Sequence, residues 1–275
     1  MSTPPLSAEE LRRPLRLRTG RFWSLYGVWH RHARVYCKTL LANATPPVLE
    51  PLFFFLAVAL GLGTYLPNAT FDGLPYTTYV ASGVLVASAM FTSVFETTYG
   101  TFVRLVYQRT YDVLLSTHLR VGEVFVGEML FSATKGALFS SIVLLVTLAF
   151  GARPTPWCLL VPVLGFVTGY LFAAVGLIVT SCVKMINNFS FFTTGVVTPI
   201  FFFSGTFYPV PEHPAVLKYI ALCVPLTPAI ELSRALFKAQ FTAANALHVA
   251  LLAAYTALYH WLALRRMTKR VLAAR

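Results

Sequence analysis

Residues 96–128 read ETTYGTFVRLVYQRTYDVLLSTHLRVGEVFVGE, the one internal stretch patterned for water between long apolar runs. Arg104, Arg109, Asp112, His118, Arg120 and Glu123 interrupt its apolar residues at intervals that fit helix faces. From Tyr111 onward, Tyr111, Leu114 and Leu115 form one apolar stripe, with Asp112 and Ser116 off it. Thr110 is placed to cap a short helix, and Ser116 and Thr117 to end it and begin the next. The pattern predicts a compact elbow of two water-facing helices. Two uses fit it: a docking point for a soluble partner, or an ordinary amphipathic loop at a bilayer surface.

The apolar runs on either side decide the environment. Of 275 residues, 57% are hydrophobic and only 12% charged, more apolar surface than a soluble core of this length can hide. A net charge of +12 raises the question of nucleic acid, and its placement argues against that. Arg12, Arg13, Arg16, Arg18, Arg21, Arg31, Arg34 and Lys38 lie near the start, and Arg265, Arg266, Lys269, Arg270 and Arg275 at the end. Bases flanking apolar spans are the mark of cytoplasmic segments of a membrane protein. Cys37, Cys158, Cys182 and Cys223 form no close pairs, against both a zinc site and a disulfide framework. The three Asn-x-Ser/Thr matches, at Asn43, Asn68 and Asn188, are as expected from chance.

Residues 1–19 form a basic tail with no signal-peptide pattern, and residues 20–41 read as an amphipathic helix lying in the interface. There Phe22, Trp23, Tyr26 and Trp29 alternate with bases, and His30 and His32 read as polar surface rather than a metal pair. A span needs about 20 apolar residues, and six fit within 42–264, near 46–65, 76–97, 129–150, 157–182, 188–208 and 245–264. The loops at 66–75 and 151–156 hold one base between them, Arg153, so both termini and the 96–128 elbow are expected in the cytoplasm. Residues 209–244 carry prolines and apolar pieces too short to cross, which predicts an outer re-entrant helical hairpin. Residues 265–275 form a basic cytoplasmic tail. The fold class is all-α, a membrane protein of six spans.

Chemistry is sparse. There is no Gly-x-x-x-x-Gly-Lys-Ser/Thr loop, no Gly-x-Ser-x-Gly and no His-Glu-x-x-His. No catalytic residue, metal ligand set or cofactor site is expected in this chain. Glu50, Glu96 and Lys135 fall at a similar depth inside spans, where charge is costly. A structural ion pair between Lys135 and either glutamate, or snorkelling by Lys135, is favoured over an ion relay, because no charges continue to the far side. Gly165, Gly169 and Ala173 recur every four residues with Gly176 nearby, a close-packing pattern within the chain or between subunits. The clusters at Phe53–Phe55, Phe191–Phe192 and Phe201–Phe203 face lipid or core, or line a path for sugars.

Gln108-Arg109-Thr110-Tyr111-Asp112-Val113-Leu114-Leu115, with Gly127-Glu128 beyond the turn, resembles the segment after the second span of type-2 ABC exporter permeases. The likeness is closer to the nodulation-type lipo-oligosaccharide export permeases. It includes Phe95-Glu96-Thr97 and Ala133-Thr134-Lys135, and it runs from about Leu49 to Val210. The sequence departs from the wider pattern at Val106-Tyr107, at His118 in place of a frequent Pro, and at Arg120, where a Ser often caps the next helix. The resemblance implies a coupling helix that docks an ABC ATPase, with Arg109, Thr110, Tyr111, Asp112, Leu114, Leu115 and His118 as its contacts. It also implies an inner-membrane permease that works as a homodimer with two ATPase subunits, which alone bind ATP. The implied cargo is an amphiphilic glycolipid moved outward through membrane lipid. A drug or antibiotic permease would share these features. A secondary transporter or a membrane-embedded transferase would need ionisable groups that this sequence does not cluster.

Overall fold

The structure, a computed structural model, describes residues 20–38, 70–149, 155–208 and 224–273, with isolated positions between 53 and 65. The expected tail at 1–19, most of the expected first span with Glu50, and residues 209–223 of the expected hairpin lie outside the described residues.

Helix α1 (Arg21–Lys38) comes first. A two-strand hairpin, β1 (Thr70–Phe71) and β2 (Leu74–Pro75), follows, turning at Asp72 and Gly73, both with positive φ. Five helices among the described residues are long and apolar enough to cross a membrane: α2 (Tyr76–Tyr107), α4 (Val121–Ala149), α5 (Pro156–Cys182), α6 (Ile186–Phe203) and α8 (Ala243–Ala273). Two short helices, α3 (Thr110–Leu115) and α7 (Thr227–Lys238), stand between them.

These five cover the second to sixth expected spans but differ in length. Helix α2 runs on to Tyr107 and α4 begins at Val121, so the elbow between them shrinks from 96–128 to residues 108–120. The expected pair of water-facing helices is one helix, α3; the flanking residues belong to the spans. The basic segment 265–275 likewise continues α8 as far as Ala273 instead of forming a separate tail.

Helix α2 is the hub. It is buried along nearly its whole apolar window and packs against α4, α5 and α7. Tyr79, Val80, Val84, Leu85 and Met90 fill the core beside Leu171, Phe172 and Ile230. In lipid there is no hydrophobic gain in joining two apolar helices, so close packing has to hold them. A Cβ on Gly136 of α4 would lie 2.9 Å from the Gly165 carbonyl oxygen and 3.1 Å from Gly169 Cα on α5. The small-residue stripe of α5 therefore serves contacts within the chain.

At the end of α2 away from the elbow, α7 is clamped down. Its twelve residues reach about 18 Å, short of the roughly 30 Å hydrocarbon layer. Arg234 of α7 is buried, with its guanidinium 3.8 Å over the Tyr79 ring. It ion-pairs with Glu231 at 2.7 Å and donates to the carbonyl of Gly205. Lys238 pairs with Asp72 of the hairpin. Three separate segments thus meet on α7.

Candidate functional site

The elbow and the last turns of α2 are built by local backbone features. Residues 96–100 and 103–107 are π-helical. In a regular α-helix eight residues turn about 800°, leaving side chains about 80° apart. Each wider π turn winds part of that offset back. Glu96 and Arg104, eight apart, consequently face the same way and pair at 2.8 Å. The Thr97 carbonyl in the first π segment accepts the Thr180 hydroxyl of α5 at 2.7 Å. Gly100 leaves the room this needs: a Cβ there would sit 3.1 Å from Glu96 Oε1 and 3.2 Å from Arg104 Nη2.

Arg109, in the left-handed region at φ 46°, breaks the chain away from α2 and acts as the N-cap of α3. Thr110 is not the cap that its residue type suggests. It lies inside the helix, and its hydroxyl donates to Gln108 at 3.4 Å. Ser116 and Thr117 close the other end by donating to the carbonyls of Val113 and Leu114. Arg120 cannot cap α4 with its side chain, so Glu123 reaches back to the Arg120 N–H at 3.0 Å, half of a capping box.

A chain of buried charges ties these parts together. Lys135 Nζ lies 2.7 Å from Glu96 Oε2, and Glu96 Oε1 lies 2.8 Å from Arg104. Arg104 reaches onward to Glu128 Oε1 at 2.5 Å. Glu128 is fully buried and also accepts the Thr101 hydroxyl at 2.6 Å and the Tyr111 hydroxyl at 2.6 Å. Burial, and then the Glu128 carboxylate, push the Tyr111 phenol well above its ordinary value, so it stays protonated and donates. Two cations and two carboxylates cancel. That balance is what makes the buried cluster tolerable, since an unpaired buried charge is costly. Mechanically, the cluster fixes α2, α4 and α3 in one arrangement.

Residues 25–238 match the ABC-2 type transporter family. The chain belongs to that family. It is 34% identical over 248 residues to nodulation protein J of Rhizobium leguminosarum bv. trifolii, covering 89% of this chain and 93% of that protein. Nodulation protein J of Sinorhizobium fredii is 30% identical over 251 residues, 91% and 95% of the two chains. The inner membrane transport permease YadH of Escherichia coli is more distant, at 22% identity over 192 residues, 68% and 72% of the two chains. The chain is thus the permease subunit of an ABC exporter, a multi-pass inner-membrane protein.

In the permease, the residues singled out from sequence fall into two groups. Glu96 and Lys135 meet across α2 and α4; Lys135 is only 5% exposed and does not snorkel. Arg104 and Glu128, read as part of a water-facing elbow, are the other half of the same cluster. Their signal was available: Glu128 and Lys135 are seven apart on one helix and so share a face. Tyr111 is a correction. Its ring is 1% exposed, packed 5.2 Å from Phe125 among Val124, Met129 and Met267, so it fills the permease's own core and not a partner's groove. Thr110 is buried as well. Arg109, Asp112, Val113 and His118 face outward, with Leu114 and Leu115 half-buried.

His32 is a second correction, since it faces inward. It is 3% exposed and stacks on Phe131 at 5.5 Å, while Tyr36 one turn on lies 4.3 Å from Lys135 Nζ. Burial, and then the positive charge of Arg104, lower its pKa to about 4; Arg31 adds to this, and Glu128 and Glu96 oppose it. Above about pH 6.5 the ring is neutral whether or not the chain is folded, and stability does not depend on it. As pH falls toward 4, the unfolded chain takes up a proton that the folded one refuses. Stability should then drop by on the order of 3 kcal/mol. Thermal unfolding across this range should show a flatter acid limb for His32→Phe; parallel losses in both proteins would mean that His32 is not buried in its neutral form.

Proposed function

We propose that the permease exports an amphiphilic glycolipid of the lipo-oligosaccharide type, as a pair of identical chains driven by two separate ATPase subunits. The likeness to nodulation protein J across nearly the whole chain supports the cargo class. The basic ends of the sequence support cytoplasmic termini, which puts the 108–120 elbow on the side where ATP is. Helices α6 and α8 leave most of their apolar surface uncovered, including Phe191, Phe202 and Phe203, and offer themselves to a second copy and to lipid.

The observation that carries the reading is the Tyr111–Glu128 contact. It makes α3 a lever fastened to α2 and α4. Arg109, Asp112, Val113 and His118 face the ATPase on one side of that lever, and Tyr111 holds the other. An ATPase movement that shifts α3 is then felt at Arg104 and Lys135 inside the spans. Such coupling requires ATPase contacts that differ between its states.

Reconstitution tests this directly. The purified chain should hydrolyse no ATP by itself. Addition of the ATPase should give ATP-dependent appearance of a lipo-oligosaccharide at the outer face of vesicles. Val113→Cys should cross-link to the ATPase. Turnover by the chain free of any ATPase, or labelling of Val113→Cys only from outside the cell, would overturn the reading.

A further inference from the structure

A notch of about 360 Å³ lies between the ends of α5 and α8, lined by Ser181, Arg266, Lys269, Arg270 and Ala273. Three cations converge there with no carboxylate among the described residues that line it. None of them forms an ion pair among the described residues. Arg270 is half-buried, and its Nη1 has no hydrogen-bond partner among the described residues although it is shielded from solvent. The negative end of a helix dipole accounts for bases near the end of α8 in general. It does not account for three of them around one notch with an unmet buried donor. A guanidinium in that state calls for an acceptor with several oxygens, and a phosphodiester fits its fork.

Depth indicates where that acceptor comes from. Trp261 is exposed, with Arg265 5.2 Å over its ring, the arrangement of an aromatic belt at a bilayer interface. Residues 266–273 follow in the next two turns, at headgroup level, and the exposed Leu272 keeps an apolar surface beside the notch. Basic pockets between membrane helices at that depth attract anionic headgroups. We propose that this notch holds the phosphate headgroup of an anionic membrane lipid, a site that does not depend on the cargo or docking reading above. The lipid supports the elbow from behind. The Arg270 guanidinium lies 5.7 Å from the centre of the Phe102 ring, next to Thr101, while Met267 and Val271 pack in the same cluster as Tyr111.

The test is native mass spectrometry of the full-length chain titrated with phosphatidylglycerol or phosphatidylcholine. Each base in direct contact with the bound headgroup is worth about fivefold in binding, so Arg266→Gln, Lys269→Gln and Arg270→Gln together should weaken phosphatidylglycerol binding roughly a hundredfold. Arg34→Gln, Lys38→Gln and Arg265→Gln remove the same charge elsewhere and should leave it within about twofold. If the first triple variant does not fold, Arg266→Gln and Lys269→Gln singly should each show the fivefold loss. Equal weakening in both triple variants would overturn the site. Competition by inorganic phosphate as effective as the lipid would make it a site for a soluble anion instead. Normal lipid binding together with lost ATPase association would assign the bases to the ATPase, and that too overturns the proposal.

Discussion

Arg104→Met is expected to cost the permease about 3–5 kcal/mol of stability, because it strands Glu128 in the interior. Among the described residues Arg104 is the one cation paired with that carboxylate, whereas Glu96 keeps Lys135 at 2.7 Å when Arg104 is gone. Lys135→Met should be milder for the complementary reason, since Glu96 then keeps Arg104 at 2.8 Å. Combining Arg104→Met with Glu128→Gln restores neutrality and should recover much of the loss. Thermal unfolding of the detergent-purified chain reads all three variants against the parent. If the double change is as damaging as Arg104→Met alone, lost packing and not stranded charge is responsible.

Tyr111→Ala should cost about as much, ~3–5 kcal/mol, but by a different route. It empties a site among Phe125, Met129, Met267 and Val271 and also releases Glu128. Transport and folded yield should fall together. Tyr111→Phe separates the two effects, because the ring stays and only the donor is lost, at about 1–3 kcal/mol. In that variant ATP hydrolysis by the assembled exporter should persist while transport of the proposed cargo declines. Val113→Asp, on the outward face at 68% exposure, should stay within about 0.5 kcal/mol of the parent yet weaken ATPase association. Wild-type transport by Tyr111→Phe would show that the Glu128 contact does not carry the coupling.

The second to sixth spans were legible because length and apolarity suffice to find them, and a carboxylate partner for Lys135 because Glu50 and Glu96 lie at a matching depth, which does not choose between them. Span ends were not. Arg104 and Glu123 interrupt the apolar pattern as strongly as Asp112 does, yet Arg104 is neutralised inside the protein, and Glu123 serves the first turn of α4. Composition cannot tell a charge that meets water from one that meets its opposite. The alignment of Glu96 with Arg104 depends on π turns, for which a period of 3.6 gives no hint. Tyr111 shows the same limit in another form: a stripe with Leu114 and Leu115 identifies an apolar face, but not whether that face turns toward its own chain or another. The inward turn of His32 was hidden likewise, since neighbouring bases made it look like surface.

The two-plus-two composition of the buried cluster also governs electrical work. A transmembrane voltage does about 2.3 kcal/mol of work per 100 mV on each elementary charge carried across the full field. Lys135, Arg104, Glu96 and Glu128 moving as one body sum to zero, so the cluster that joins α2 and α4 can shift along the membrane normal without drawing on the membrane potential or being held by it. The stroke of the exporter, in these helices, is left to ATP alone.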